Sequence, residues 1–240
     1  MATLILDIET VGESWENLDE TTQTELTRWI KQNIRDQEER EWQLENIKSS
    51  LGLSPCTGFV VALGIYDLER EHGVVYYIDE KASKDWRESD FAFKPRGEET
   101  ILKEFWEGLS HYDTVVTFAG RRFDLPFLIH RSLAHQLTPS ANLLGQRFLA
   151  RQTPPYHVDL QEELTFYGVM NKRPSLHMFC RTYGIKSSKT AVSGQNVATL
   201  FKDRQGSTIA RYNAEDLLAT KELFLHWQKY LAPEFFKIHT

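Results

Sequence analysis

The 240-residue chain is poor in cysteine, in long apolar runs and in net positive charge, and each shortage excludes something. Only two cysteines occur, Cys56 and Cys180. Neither has metal-ligand spacing around it, so both are expected to be buried small apolar residues rather than a disulfide or zinc ligands, in a reducing cytoplasm. No apolar run approaches the roughly 20 residues that a membrane helix needs. The apolar start is interrupted by Asp7 and Glu9 before a signal-peptide core forms. No internal repeat or low-complexity tract stands out. The formal net charge is −6, which argues against a polyanionic ligand until the charges are placed along the chain.

Residues 13–48 hold 10 acids and 5 bases, and residues 67–116 hold 13 acids and 7 bases. Residues 117–213 reverse the sign with 13 bases and 5 acids, a local balance of +8. A positive block inside an acidic protein suits a polyanion, unless folding scatters those charges over different faces. With 41% hydrophobic and 26% charged residues, the composition is that of a globular chain long enough for one α/β domain spanning 1–240.

The apolar run Leu4-Ile5-Leu6 reads as a strand and leads directly into Asp7-Ile8-Glu9. Residues two apart on a strand share a face. The two carboxylates then aim into one small volume, where each disfavours the other's ionisation unless a cation lies between them. A strand end fraying into solvent is the competing reading. After this strand, residues from about 13 to 50 carry apolar residues at helical spacing (Leu26, Trp29, Ile30 and Ile34, then Leu44, Ile47 and Leu51), one long interrupted helix or two with a charged outer face. Asp19 is placed to cap one of them. The spacing of Trp29 favours core packing, and the segment reads as a helical insertion after strand one.

"FVVALGIYDLEREHGVVYYID" reads as an antiparallel pair, residues 83–97 as irregular, and "GEETILKEFWEGLSHY" as an amphipathic helix. "DTVVTF" and "YHVDL" read as short buried strands, with helices after each, the last over about 206–230. Strands that begin antiparallel and then alternate with helices imply a mixed, five-stranded sheet flanked by helices.

Two further acids stand out. Asp124 follows a buried strand and a Gly turn at the start of a helix, where the macrodipole alone also favours an acid. Tyr212 and Asp216 lie one helical turn apart, on one face of an otherwise apolar stripe, where a buried acid needs a partner or a metal. Asp159 at the end of "HVDL" reads as a structural hydrogen-bonding group more readily than a catalytic one, and His157 as packed at a sheet edge.

Together these residues resemble the DEDD superfamily of 3′–5′ exonucleases: Asp7-Ile8-Glu9 on a first strand, Phe123-Asp124 after a Gly turn, and Tyr212-x-x-x-Asp216 on a late helix. The tyrosine points to the tyrosine branch. "LILDIET", "TFAGRRFDLPFL", "HVDL" and "YGIKSSKTAVSGQNV" are similar to free-standing exonucleases related to the proofreading domain of family B DNA polymerases. The resemblance implies a ribonuclease H-like α/β fold. It also implies two divalent cations, Mg²⁺ or Mn²⁺, with Asp7 shared between them, Glu9 and Asp216 completing one site and Asp124 holding the other. Tyr212 is then assigned to orienting the reacting groups, because an unperturbed phenol with a pKa of about 10 is a poor base.

The implied substrate is single-stranded nucleic acid attacked from its 3′ end, DNA ahead of RNA. An RNA-trimming enzyme or a catalytically silent binding module on the same fold are the alternatives. Thr10, Arg121, Arg122, Lys186 and Lys189 are candidates for substrate contacts, with surface salt bridges as the competing reading for the four cations. One departure is visible: Ala119 stands where relatives carry Asn.

Overall fold

The computed structural model describes residues 2–82, 84–186 and 196–236. Its centre is strand β1, Thr3–Gly12, whose side chains alternate between two covered faces. Leu4, Leu6 and Ile8 pack into one apolar layer, while Ile5 and Val11 enter the other. Asp7 and Glu9 share the second face, so the acids sit where a core would otherwise continue.

β1 pairs antiparallel with β2 (Gly58–Asp67), which pairs antiparallel with β3 (His72–Tyr77). Two more strands extend this side, β4 (Trp86–Glu88) and β5 (Phe91–Pro95). On its other edge β1 runs parallel to β6 (Thr114–Thr117), and β6 runs parallel to β7 (Tyr156–Asp159). The sheet order is β4-β5-β3-β2-β1-β6-β7. The mixed sheet is therefore seven-stranded, not five-stranded. Residues 86–95 form strands because Phe91 and Phe93 bury against the sheet and Trp86 stacks on Phe93 at 4.0 Å between ring centroids.

The insertion folds as two helices, α1 (Glu20–Asn33) and α2 (Gln37–Ser50). Asp19 caps α1 by accepting from the Thr22 backbone N–H at 3.0 Å. The hairpin buries little: Ile30 and Ile34 are covered, but Trp29 is 43% exposed, against its expected core role. Its helical spacing assigns it a face, and among the described residues that face stays largely open to solvent. Cys56 is also exposed, in the turn after the insertion, whereas Cys180 is buried; both are free thiols.

One face of the sheet is covered by α3 (Glu98–Leu109) and α4 (Asp124–Ala134), whose apolar residues join Leu4, Leu6 and Ile8. α5 (Leu160–Leu164), α6 (Leu176–Tyr183) and α7 (Val197–Lys202) then lead to α8 (Gly206–Tyr230), which lies across the other face. Ile209, Tyr212, Leu217, Leu223 and Trp227 of α8 supply the apolar layer beneath which the acids of β1 lie. Among the described residues, no helix is long and apolar enough to cross a membrane.

Candidate active site

Each acid arrives by a different local rule. Asp7 and Glu9 come from the alternation of β1, with a register shift between Glu9 and Thr10 after which pairing with β2 resumes through Gly12. Their partners across β2 are Gly64 and Ala62, two of the smallest side chains available. That thin patch of sheet lets α8 approach closely and bring Asp216 over β1. Oxygens of Asp7, Glu9 and Asp216 lie within 4.8 Å of one another.

Asp124 enters from the sheet's other flank. It opens α4 just after the turn that leaves β6, and it is buried. Its Oδ1 accepts the Ile8 backbone N–H at 3.2 Å, which fixes the carboxylate beside the Asp7–Glu9 stretch.

Electrostatics record the crowding. Burial, followed by the charges of Asp124, Glu9 and Asp216, pushes the Asp7 carboxyl well above its usual range. Burial, then Asp216 and Asp124, does the same to Glu9. Burial raises Asp124 to about 7, against the opposing hydrogen bonds from its own backbone N–H and from Ile8. Carboxylates concentrated in this way repel one another without an intervening cation. All the converging donors are hard oxygens, the donor type that suits Mg²⁺ or Mn²⁺, so the residues present fit divalent metal ions. Tyr212 is buried and its hydroxyl donates to Asp216; burial first, then the charges of Asp216 and Glu9, drives its pKa upward, away from any role as a base at neutral pH.

One residue of the site has no precedent in the sequence reading. Asn213 is fully buried, and its Nδ2 donates to Asp7 Oδ2 at 2.8 Å. Room for it exists because residue 64 is glycine: a Cβ there would lie 1.9 Å from Asn213 Oδ1. The available signal was a lone amide on the apolar stripe of α8, next to Tyr212.

The weaker candidates are placed differently. Asp159 ends β7 and accepts from the backbone N–H groups of Ala119 (3.1 Å), Arg121 (3.0 Å), Gln161 (3.0 Å) and Glu162 (3.2 Å). It therefore braces the turn that carries Asp124 and caps α5. His157 is buried on the edge strand, with Nε2 2.9 Å from Thr117 Oγ1, and burial followed by the nearby Arg121 charge lowers its pKa to about 3.

Arg121 is spent internally: it donates to the carbonyls of Leu144 (3.2 Å) and Gln146 (2.8 Å) and lies 3.7 Å from Glu162. Thr10 Oγ1 donates to the Gly52 carbonyl at 2.6 Å and ties down the end of the insertion. Arg122 and Lys186 are exposed; Lys189 lies outside the described residues. Ala119 adopts a left-handed φ of +63°, a conformation asparagine tolerates better than alanine does.

A mixed sheet flanked by helices, with carboxylates of β1 and α8 brought together and Asp124 of α4 held against β1, is a ribonuclease H-like fold. The chain belongs to the family described as "Predicted 3′-5′ exonuclease related to the exonuclease domain of PolB", which matches residues 74–233, and it is with that family a 3′–5′ exonuclease. The matched span includes Asp124, Tyr212 and Asp216 but not Asp7 or Glu9. Among solved structures, the chain is similar to the family B DNA polymerase from the hyperthermophilic archaeon Pyrobaculum calidifontis, with a TM-score of 0.56 and 16% identity. That likeness covers 94% of this chain and 24% of the polymerase, so the chain spans about a quarter of that protein's length. No curated protein matches the sequence.

Proposed function

We propose that the chain, acting as one domain, removes nucleotides from the 3′ end of single-stranded DNA, with Asp7, Glu9, Asp124 and Asp216 holding two divalent cations. The observation that carries this reading is the meeting of Asp7, Glu9 and Asp216 oxygens within 4.8 Å in a crowded, partly buried pocket. Asp7, Glu9 and Asp216 would hold one ion, and Asp7 with Asp124 the other. When bound, such ions activate water and stabilise charge on the attacking and leaving oxygens of the phosphodiester.

The protein's own groups orient the reaction. Asn213 fixes Asp7 Oδ2, and the Ile8 N–H fixes Asp124 Oδ1. Tyr212, protonated at neutral pH, offers a donor rather than a base and positions the scissile phosphate or the attacking water. Two unpaired cysteines, one of them exposed, suit a reducing cytoplasm.

The test is incubation of 5′-labelled single-stranded DNA and RNA with Mg²⁺, Mn²⁺ or chelator. The expected result is a ladder shortening from the unlabelled 3′ end, faster on DNA, and absent with chelator or in Asp7→Ala, Asp124→Ala and Asp216→Ala. Shortening that persists in chelator, or full activity in any of those variants while still folded, overturns the assignment.

A further inference from the structure

Two segments, residues 147–151 and 166–167, raise a ridge of aromatic rings and arginines. Phe148 and Tyr167 meet at 4.7 Å between ring centroids. Arg147 lies 5.7 Å over the Tyr167 ring, and Arg151 lies 5.9 Å over that of Phe148. Phe148 is 45% exposed, and Phe166, which precedes Tyr167 in the chain, is 52% exposed, so these rings are not serving the core. Phe166 and Tyr167 also occupy consecutive left-handed conformations, with φ of +52° and +56°. Two L-residues in succession at positive φ are costly, and here one of them holds a large apolar ring in solvent.

We infer that this ridge is the platform on which the single strand lies as its 3′ end enters the pocket; the inference rests on the nuclease reading proposed above. Rings alternating with cations suit single-stranded nucleic acid, because every base has a face to stack and every linkage a phosphate to pair. Arg147 is taken up by Glu162, so Arg151, exposed on the ridge, is the cation that would meet a phosphate.

Position supports the same reading. Asp7 and Glu9, the turn before Asp124, and Asp159 all lie toward the carboxyl ends of the parallel strands β1, β6 and β7, the edge where open α/β sheets receive ligands. The link from pocket to ridge is continuous. Asp159 holds the backbone of the 119–121 turn, and Arg121 in that turn grips the Gln146 carbonyl, one residue before Arg147. Arg147 in turn bonds Glu162 at 2.8 Å and the Tyr167 carbonyl at 3.4 Å.

The experiment measures binding of a fluorescein-labelled oligothymidylate by anisotropy in EDTA, with thermal melting of every variant alongside. Phe148→Ala is expected to weaken binding about tenfold, the effect of losing one base-stacking ring. Arg151→Ala is expected to flatten the slope of log affinity against log salt by about 0.7, one phosphate contact on a single strand. Phe166→Gly separates recognition from folding, because it deletes the ring and also relieves the positive φ. It should weaken binding while keeping or raising Tm.

Oligomer affinity within about twofold of wild type in both Phe148→Ala and Phe166→Gly overturns the platform, as does absence of binding by the wild-type protein. Trp42→Ala, on the exposed face of the insertion, is the control and should leave affinity unchanged. If the variants lose binding as expected but the wild-type protein shortens no strand with Mg²⁺ or Mn²⁺, the platform stands and the nuclease reading fails.

Discussion

Gly64→Ala tests how the site is built more directly than removal of a carboxylate does. Residue 64 faces Asp7 across the β1–β2 ladder. An added methyl would lie 1.9 Å from Asn213 Oδ1, 2.5 Å from Leu217 Cδ1 and 3.1 Å from Asn213 Cγ. Leu217 ends in a flexible tip and can turn aside. The Asn213 amide is fully enclosed, so it must leave its place, and its 2.8 Å bond to Asp7 goes with it.

Overpacking costs about 1–3 kcal/mol, and losing a hydrogen bond to a charged acceptor about 1.5–3 kcal/mol. Stiffening the unfolded chain by replacing glycine returns about 0.4–1 kcal/mol. The net expectation is a loss of about 2–5 kcal/mol, or a fall of roughly 5–15 °C in Tm for a chain of this size. Asp7, freed from its amide, shifts within the pocket, and misplacement by about 1 Å costs about 100-fold in rate.

The assays are urea unfolding and single-turnover hydrolysis of a 5′-labelled oligomer. The decisive comparison is the pair Gly64→Ala with Asn213→Ala. Once the amide is gone the new methyl has room, so the double variant should be more stable than the sum of the two single losses by about 1–3 kcal/mol. Additivity within about 0.5 kcal/mol would refute the clash, and wild-type hydrolysis by Gly64→Ala would refute the tie between Asn213 and Asp7.

Four other outcomes are expected. The raised carboxyls of Asp7, Glu9 and Asp124 favour the protonated fold, so their contribution to metal-free stability is full below the ordinary values of 3.8 and 4.5 and is lost as pH rises, through about 7 for Asp124. Mg²⁺ or Mn²⁺ should therefore raise Tm little at about pH 5 and more at about pH 8, by the equivalent of about 2.7 kcal/mol when metal is 100-fold above its Kd. Asp7→Asn should raise metal-free Tm at the higher pH while removing most of the metal response; an undiminished response would refute its ligand role. Tyr212→Phe should slow hydrolysis by about 10–100-fold and leave the metal-induced Tm shift intact, since the role proposed for its hydroxyl is to orient rather than to bind metal. Ala119→Gly should stabilise the protein by about 1 kcal/mol in urea unfolding, because glycine adopts the +63° φ without a Cβ penalty; a loss of stability would contradict that strain.

What could be read in advance follows how far each signal reaches along the chain. The shared face of Asp7 and Glu9 needs only the period of a strand, and that of Tyr212 and Asp216 only the period of a helix. The three-residue β4, with one aromatic and two charged side chains, has no period to display; it is a strand because β5 lies beside it and Trp86 stacks on Phe93. Trp29 fails in the opposite direction, since periodicity assigns a face but does not say whether another element will cover it. Arg121 reads as a free cation because the carbonyls of Leu144 and Gln146 that occupy it are set by the path of a loop, not by residue type.

Asn213 is the hardest case. Its partner Asp7 lies 206 positions away, and its space depends on a glycine in a third element. Taken alone, each of the three looks ordinary: a glycine in a strand, an amide in a helix, an acid at a strand end. They become one device only when α8 crosses the sheet close enough for the missing Cβ of residue 64 to be filled by the amide that holds Asp7. The acids are legible because the chemistry proposed for them restricts their residue type, whereas their support is restricted by shape, and shape is created only when the surfaces meet.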